Sequence, residues 1–378
     1  MMEILNDDCQ LLIISYLDLI SQFRLWVASK NFAPQIYNNL CYAWQRQPCH
    51  KLSHYMIEEF ATHGIQSELD FIAIISPTVR DLRLRVVYLR NLERWRGLSF
   101  PLMETLHFTL KENGTTKHDR ALELIVELFP RLRSFKSAAS INGQIIEKLT
   151  MLQSLDLMKS VPINVGVSVT KFQQLEHLKL NEHFLSNNPT GSIMSLPKLR
   201  SLCFRPKWPQ YENILKEIVE LRGQDIIHIA FCSEWGELLG HLKQLKNLRQ
   251  LTFYDSDEAN AFNSLISSLP VLEQLNLITS DAFLPNEIEL WRIVATCSSL
   301  KILNISQIPI DYKFFDLRNS AMNRALRNRS QPLTLHCCRS GEFEHLIAEN
   351  FRHPNLILSF KDFKLDNIPY YCTKVYFA

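Results

Sequence analysis

Apolar residues recur along most of this chain in the pattern LxxLxxLxL, about once every two dozen residues. One copy is Leu149, Leu152, Leu155 and Leu157; the next are Phe172, Leu175, Leu178 and Leu180, then Leu196, Leu199, Leu202 and Phe204. The pattern returns at Leu245, Leu248, Leu251 and Phe253, at Leu269, Leu272, Leu275 and Leu277, and at Cys297, Leu300, Leu303 and Ile305. Weaker copies end on Leu82 and Leu84, Leu106 and Phe108, Ile229 and Phe231, and Leu333 and Leu335. The final two apolar residues of each copy are two apart, so both face one side of a short strand. A repeat of this kind overrides a domain count taken from length, which for 378 residues suggests two or three.

Between the strands lie helical patterns. Ala121, Leu124, Ile125 and Leu128 follow a 3.6-residue period, as do Ile214, Ile218 and Leu221, and Phe262, Leu265, Ile266 and Leu269. Pro130, Pro197 and Pro270 stand in the helix-to-strand turns, where a helix must stop. One strand and one helix at this spacing resembles the leucine-rich repeat. The expected fold is α/β: a horseshoe-shaped solenoid over residues 79–378, with parallel strands inside and helices outside. One repeat cannot stand alone. A buried Leu contributes roughly 1.5–3 kcal/mol, while ordering a residue costs about 1.5 kcal/mol, so neighbouring coils must supply burial. A doubly wound α/β domain competes with this reading. It requires strands apolar on both faces, whereas these carry polar residues between the leucines.

Composition narrows the function classes. Forty-one Lys and Arg stand against 39 Asp and Glu, a net charge of +2, which argues against binding nucleic acid through bulk charge. Ten glycines, with neither GxGxxG nor GxxxxGK[ST], argue against a phosphate cradle and give no reason to expect a cofactor. The nine cysteines are scattered and odd in number, which reads as reduced thiols. No apolar run approaches the roughly 18 residues of a membrane span. The first nine residues carry acids and no base, unlike a signal peptide. The expectation is a cytoplasmic or nuclear protein without membrane contact, and the sequons at Asn113, Asn304 and Asn328 carry little meaning there.

The first fifty residues lack the repeat. Asn6 can cap a helix with Asp7 and Asp8 in its first turn. A second helix is expected over Ser21 to Ser29, and Pro34 suits the first turn of a third, on which Ile36, Leu40 and Trp44 share a stripe. So many large apolar residues in so small a unit leave some exposed until a partner or the rest of the chain covers them. Leu5-Asn6-Asp7-Asp8-Cys9, Leu11 through Leu17, Phe23-Arg24-Leu25, Ala28 through Phe32 and Trp44 resemble an F-box over roughly residues 3 to 46. The family usually has Pro after the first Leu, where this chain has Asn6. An F-box followed by leucine-rich repeats is an architecture of substrate receptors in Skp–cullin–F-box (SCF) ubiquitin ligases. The resemblance implies that the F-box docks on a Skp-type adaptor, and through it a cullin, while the repeats hold an unknown protein substrate. It places the adaptor-facing surface among Leu5, Leu11, Leu12, Ile14, Leu17, Leu19, Leu25 and Phe32, part of which belongs to the F-box's own core. The expected organisation is an all-α F-box over 1–47, linker helices over 48–78 that cap the solenoid, and repeats over 79–378. The alternative is a repeat scaffold or inhibitor with no role in ubiquitylation.

In such a solenoid the residue between the paired leucines points outward on the inner face. That column reads Arg83, His107, Lys136, Asp156, Lys179, Cys203, Ala230, Thr252, Asn276, Asn304 and Thr334, and the next outward position adds Arg85, Arg205 and Tyr254. The candidate substrate-binding residues are Arg83, Arg85, His107, Lys136, Lys179, Arg205 and Tyr254. The basic first half can receive an acidic or phosphorylated segment; ordinary charge scatter on a solvated face is the plain alternative. Six arginines from Arg80 to Arg96, with Tyr88 and Trp95 among them, suit single-stranded nucleic acid only weakly, because Asp81 and Glu93 dilute the run. A second basic stretch holds Lys313, Arg318, Arg324, Arg327 and Arg329 and reads as a solvated helix or loop. Cys41, Cys49, His50 and His54 lack metal-site spacing, and no metal is expected. No nucleophile, zinc-protease or kinase motif set occurs, so the chain reads as non-enzymatic.

Overall fold

A computed structural model describes residues 5–112, 114–163, 167–205, 211–231, 239–254, 264–278, 287–306, 308, 320–337, 342–361, 363 and 372–378. The chain divides into two compact units. Unit 1 holds residues 1–188 and 196–198, and unit 2 holds 189–195 and 199–378.

Unit 1 opens with three helices, α1 (Asp7–Ser15), α2 (Leu19–Ser29) and α3 (Pro34–Gln45). Asn6 and Asp18 cap the first two by accepting backbone N–H bonds from Cys9 and Ser21. The 48–78 stretch corrects an expectation. It begins with a strand, β1 (Cys49–Ser53), before α4 (His54–Thr62) and α5 (Ile65–Ile75). Five residues of alternating burial are too short a signal to separate from a helix start. Helices α4 and α5 complete the core of the head: Phe23 stacks on Phe60 at 3.9 Å, and Trp44 meets Phe71 edge-on at 4.8 Å. The Trp44 indole N–H donates to Gln22 Oε1 at 2.7 Å, and the Gln22 amide donates to the carbonyls of Ile14 and Leu17. The buried polar group is thus satisfied.

Five further strands follow β1 in parallel: β2 (Asp81–Val87), β3 (Thr105–Leu110), β4 (Ser134–Ser137), β6 (Ser154–Asp156) and β8 (His177–Leu180). The two-residue strands β5 (Ser140–Ile141) and β7 (Val161–Pro162) pair with each other. Register lines up the repeat leucines: Leu82, Leu106, Phe135, Leu155 and Leu178 are successive cross-strand partners. All five are buried. A second stitch is polar. The Arg80 carbonyl accepts the N–H groups of Glu104 and Thr105, Glu104 accepts those of Arg133 and Ser134, and Arg133 those of Gln153 and Ser154. Asn181, itself buried, donates to the carbonyls of Leu157, Met158 and Ser160 in the preceding coil. Helices α6 (Leu89–Arg94) and α7 (Thr115–Leu128) belong to the early coils. A fully buried Glu68 on α5 ties the cap to α6. It accepts from Arg94 at 2.7 Å, Asn91 at 3.3 Å and the Trp95 indole at 3.2 Å.

Unit 2 repeats the scheme with β9 (Ser201–Phe204), β10 (Ile226–Phe231), β11 (Gln250–Tyr254), β12 (Gln274–Ile278), β13 (Ile302–Ile305), β14 (Leu333–Cys337) and β15 (Leu356–Ser359). From β10 to β15 they are parallel, with Ile229, Leu251, Leu275, Leu303, Leu335 and Leu358 in register. Two expectations are corrected here. On β14 the pair in line is Leu335 and Cys337, where Leu333 and Leu335 were expected, since Leu335 partners Leu303; His336 therefore stands in the column where Thr334 was expected. The sheet is also not purely parallel. Strand β16 (Thr373–Phe377) runs antiparallel between β9 and β10, pairing Val375 with both Leu202 and Ile229. Its alternating pattern, with Thr373, Val375 and Phe377 buried, carries no repeat spacing and so gave no sign of this place. On the helical side Leu215, Ile218 and Val219 are buried while Leu221 is exposed, which shifts the expected stripe of that helix.

Two outcomes test this account. Val375→Asp places a charge at a fully buried site in β16, with an expected cost above about 3 kcal/mol. Hydrogen exchange should then accelerate in β9 and β10 while β2 to β8 stay protected. Glu68→Ala leaves a partly buried guanidinium and two buried donors unpaired, with an expected loss of about 3 kcal/mol by urea unfolding. The buried His50, whose Nε2 lies 3.1 Å from the Trp44 carbonyl, gives a pH test. Burial holds its imidazole below the ordinary value. The unfolded chain therefore takes up that proton first, and stability falls as pH drops below about 6.5. His50→Gln should flatten that slope.

Candidate interaction surfaces

Helix α1 inverts the usual arrangement of a surface helix. Its buried residues are Gln10 and Ile14. Polar contacts hold it against α3: the Asp7 carboxylate accepts from Gln35 and Asn39 at 2.8 Å, and Asn39 also donates to Gln10. These amide donors hold the Asp7 carboxyl below its ordinary value. Outward, Leu12 is 59% exposed and Tyr16 82%, with Ile13 beside them, and Phe32 after α2 is 84% exposed. An apolar face turned to solvent marks an interaction surface.

The eight residues that the F-box resemblance named divide accordingly. Leu5, Leu12 and Phe32 are exposed, while Leu11, Leu17, Leu19 and Leu25 are half-buried. Ile14 is core and is corrected out of any partner-facing set. Ile13 and Tyr16 were missed, because an apolar stripe by itself does not say which side faces the core.

On the inner face of unit 1, register places Lys51, Arg83, His107, Lys136, Asp156 and Lys179 in one cross-strand row. Lys51 escaped the sequence reading because β1 did. Arg83 Nη2 lies 2.8 Å from Asp81, and Asp156 takes Lys136 at 3.2 Å and Lys179 at 3.5 Å. His107, half-buried, is held below its ordinary value by burial. Arg85, in the next outward row opposite Ser53, is exposed. The pairing of β2 with β3 shifts register between Leu84 and Val87, and Val86 adopts φ +58. A β-branched residue in the left-handed region is strained, held there by its surroundings.

The arginine run resolves into ion pairs. Arg80 faces Glu104, Arg83 Asp81, Arg90 Glu58, Arg94 Glu68 and Arg96 Glu127. Among the described residues, Arg85 alone of the six has no carboxylate partner. In the second basic stretch, Arg329 turns inward and donates to the carbonyls of Val294, Cys297 and Leu300. Arg324 and Arg327 are exposed, and Lys313 and Arg318 lie outside the described residues.

The row in unit 2 differs. Thr252, Asn276 and Asn304 are successive partners, and all are buried. Asn276 donates to Thr252 at 2.8 Å. Lys374 of β16 stands between Cys203 and Ala230, beside Tyr376, which stacks on His228 at 4.4 Å. Phe363 meets the His336 ring edge-on at 4.6 Å. Arg205 and Tyr254, both half-buried, belong to this unit, whereas the other five candidate substrate residues belong to unit 1. Among the described residues no three His, Cys, Asp or Glu gather to hold a metal ion, and no helix is long and apolar enough to cross a membrane.

No protein-family model matches the chain. No curated protein matches it either. Among solved structures, a leucine-rich-repeat protein of Leptospira interrogans is similar at 13% identity and a TM-score of 0.37, over 85% of this chain and 98% of that one. A likeness that distant carries no weight for function, and the repeat reading rests on register. Asp156 gives the site its own test. Its Oδ1 accepts the Met158 N–H at 3.2 Å while Oδ2 holds two lysines. Asp156→Ala should cost about 1–3 kcal/mol by chemical unfolding, and Asp156→Asn, which keeps the acceptor, clearly less.

Proposed function

We propose that this chain is the substrate-recognition subunit of an SCF ubiquitin ligase. On this reading the three-helix head docks on a Skp-type adaptor, which a cullin follows, and the stacked coils hold the target protein. The carrying observation is α1, a helix that buries Gln10 and presents Leu12, Ile13 and Tyr16. That arrangement is costly for a head without a partner and suited to one that covers it. The run from Leu5 to Trp44 that resembles an F-box supports the same reading. So do coils whose strands leave an accessible inner face in unit 1. The chain then contributes proximity and no chemistry of its own: one end grips the ligase, the other the target, and effective concentration drives transfer. Such a protein works in the cytoplasm, the nucleus or both.

A second reading is a repeat scaffold or inhibitor that never engages a ligase. Asn6 in the place of the family's usual Pro favours it. Purification from cells separates the two. A Skp-type adaptor and a cullin should co-purify with the intact chain. Both should be lost from Leu12→Asp/Phe32→Asp, two exposed positions whose replacement leaves the unfolding midpoint within error. Absence of the adaptor from the intact chain, or its retention by the double variant, refutes the ligase reading.

A further inference from the structure

We infer that the inner face of unit 1 receives an extended, carboxylate-rich segment of a partner protein, laid across the strands. The inference deepens the target-holding half of the reading above and names the chemistry of what is held.

Five cations stand on this face: Lys51, Arg83, Lys136 and Lys179 in one row and Arg85 in the next. Two carboxylates, Asp81 and Asp156, accompany them. Asp156 is mostly buried and braces Lys136 and Lys179 from between. An ammonium has three donors, so each lysine keeps others free. Arg83 likewise spends Nε and Nη2 on Asp81 and keeps Nη1. The internal acids therefore position cations that still have donors to offer, which lowers the ordering cost of binding. Arg85 has no such tie. The alternation of β2, with Leu82 and Leu84 buried, sets it outward opposite Ser53.

The spacing decides between ligand chemistries. Strands lie about 4.8 Å apart. Lys51 and Arg83 are therefore one step apart, and the backbone row from Lys51 to Lys179 is about 24 Å long. A phosphate group needs donors that converge on one point, and the point where Lys136 and Lys179 converge is already filled by the Asp156 carboxylate. Cations strung along a line instead match charges strung along a line, as in a stretch rich in Asp and Glu. Side chains on one side of an extended chain recur about every 6.8 Å, so roughly eight residues span the row. The corresponding row in unit 2 is buried and uncharged at Thr252, Asn276 and Asn304, and among the described residues Lys374 is its one lysine or arginine.

The test uses the full chain and fluorescein-labelled octaglutamate, followed by anisotropy at about 50 mM and about 500 mM salt. Binding is expected at low salt and should weaken at least tenfold, roughly, at high salt. Lys51→Glu/Arg85→Glu, two exposed sites, should weaken it by about tenfold or more. Lys148→Glu/Lys171→Glu, the same charge change at exposed sites on the helical side of unit 1, should stay within about twofold. No binding by the intact chain up to about 1 mM probe overturns the inference, and so does equal weakening in the two variants, which would mean bulk attraction. Tighter binding of a singly phosphorylated, otherwise uncharged peptide overturns it too, since that requires a convergent site. The head is untouched in Lys51→Glu/Arg85→Glu, so adaptor capture by that variant reports on the ligase reading separately.

Discussion

Everything in the repeat region depends on one shared carbonyl per coil. Arg80, Glu104, Arg133 and Gln153 each stand just before a strand, and each accepts two N–H groups from the coil that follows. That stitch fixes the register, and register fixes the rest. With it, Leu82, Leu106, Phe135, Leu155 and Leu178 fall into one buried line. A slip of one residue would turn each strand over and expose that line. The same stitch operates in unit 2 through Arg249 and Glu273. Hydrophobic burial supplies most of the stabilisation, but it is non-directional. The bifurcated bonds give it direction.

The head obeys a different logic. Its aromatic cluster closes only because α4 and α5 bring Phe60 and Phe71 to Phe23 and Trp44. The first three helices are therefore joined to the cap as one core, and Glu68 joins the cap to the first coils in turn. The polar α1–α3 contact leaves the apolar side of α1 facing out. One side of the head is sealed by its own chain and the other is presented to solvent.

Much of this was legible in the sequence, for a physical reason. Period-two pairs such as Leu275 and Leu277 announce both a strand and its buried side, and the interval announces the stacking. The helix caps were legible too, since Asn6 and Pro34 act locally. What escaped depends on partners far away in the chain. Strand β1 looked like a helix start, and Lys51 was lost with it. Strand β16 has a strand's alternation, but nothing local says between which strands it lies. The register of the outward column was read correctly where the leucines were unambiguous, but its exposure was not, since Cys203, Ala230, Thr252, Asn276 and Asn304 are buried. It slipped at Leu333, where two overlapping pairs were available and only cross-strand partnership with Leu303 selects Leu335. The arginine run was similarly opaque. Its carboxylate partners Glu58, Glu68, Glu104 and Glu127 lie on other elements, and sequence proximity does not reveal them.

The place of β16 has a consequence for how the molecule comes into being. Each coil of unit 1 can dock on its predecessor as the polypeptide leaves the ribosome, because every partner is already made. In unit 2, β9 and β10 lie on either side of a strand that follows every other described strand of the unit along the chain. Neither edge meets its final partner until that strand is made. Unpaired edges invite association with other chains. Unit 2 therefore carries edges that await a distant strand, whereas the strands of unit 1 pair in chain order.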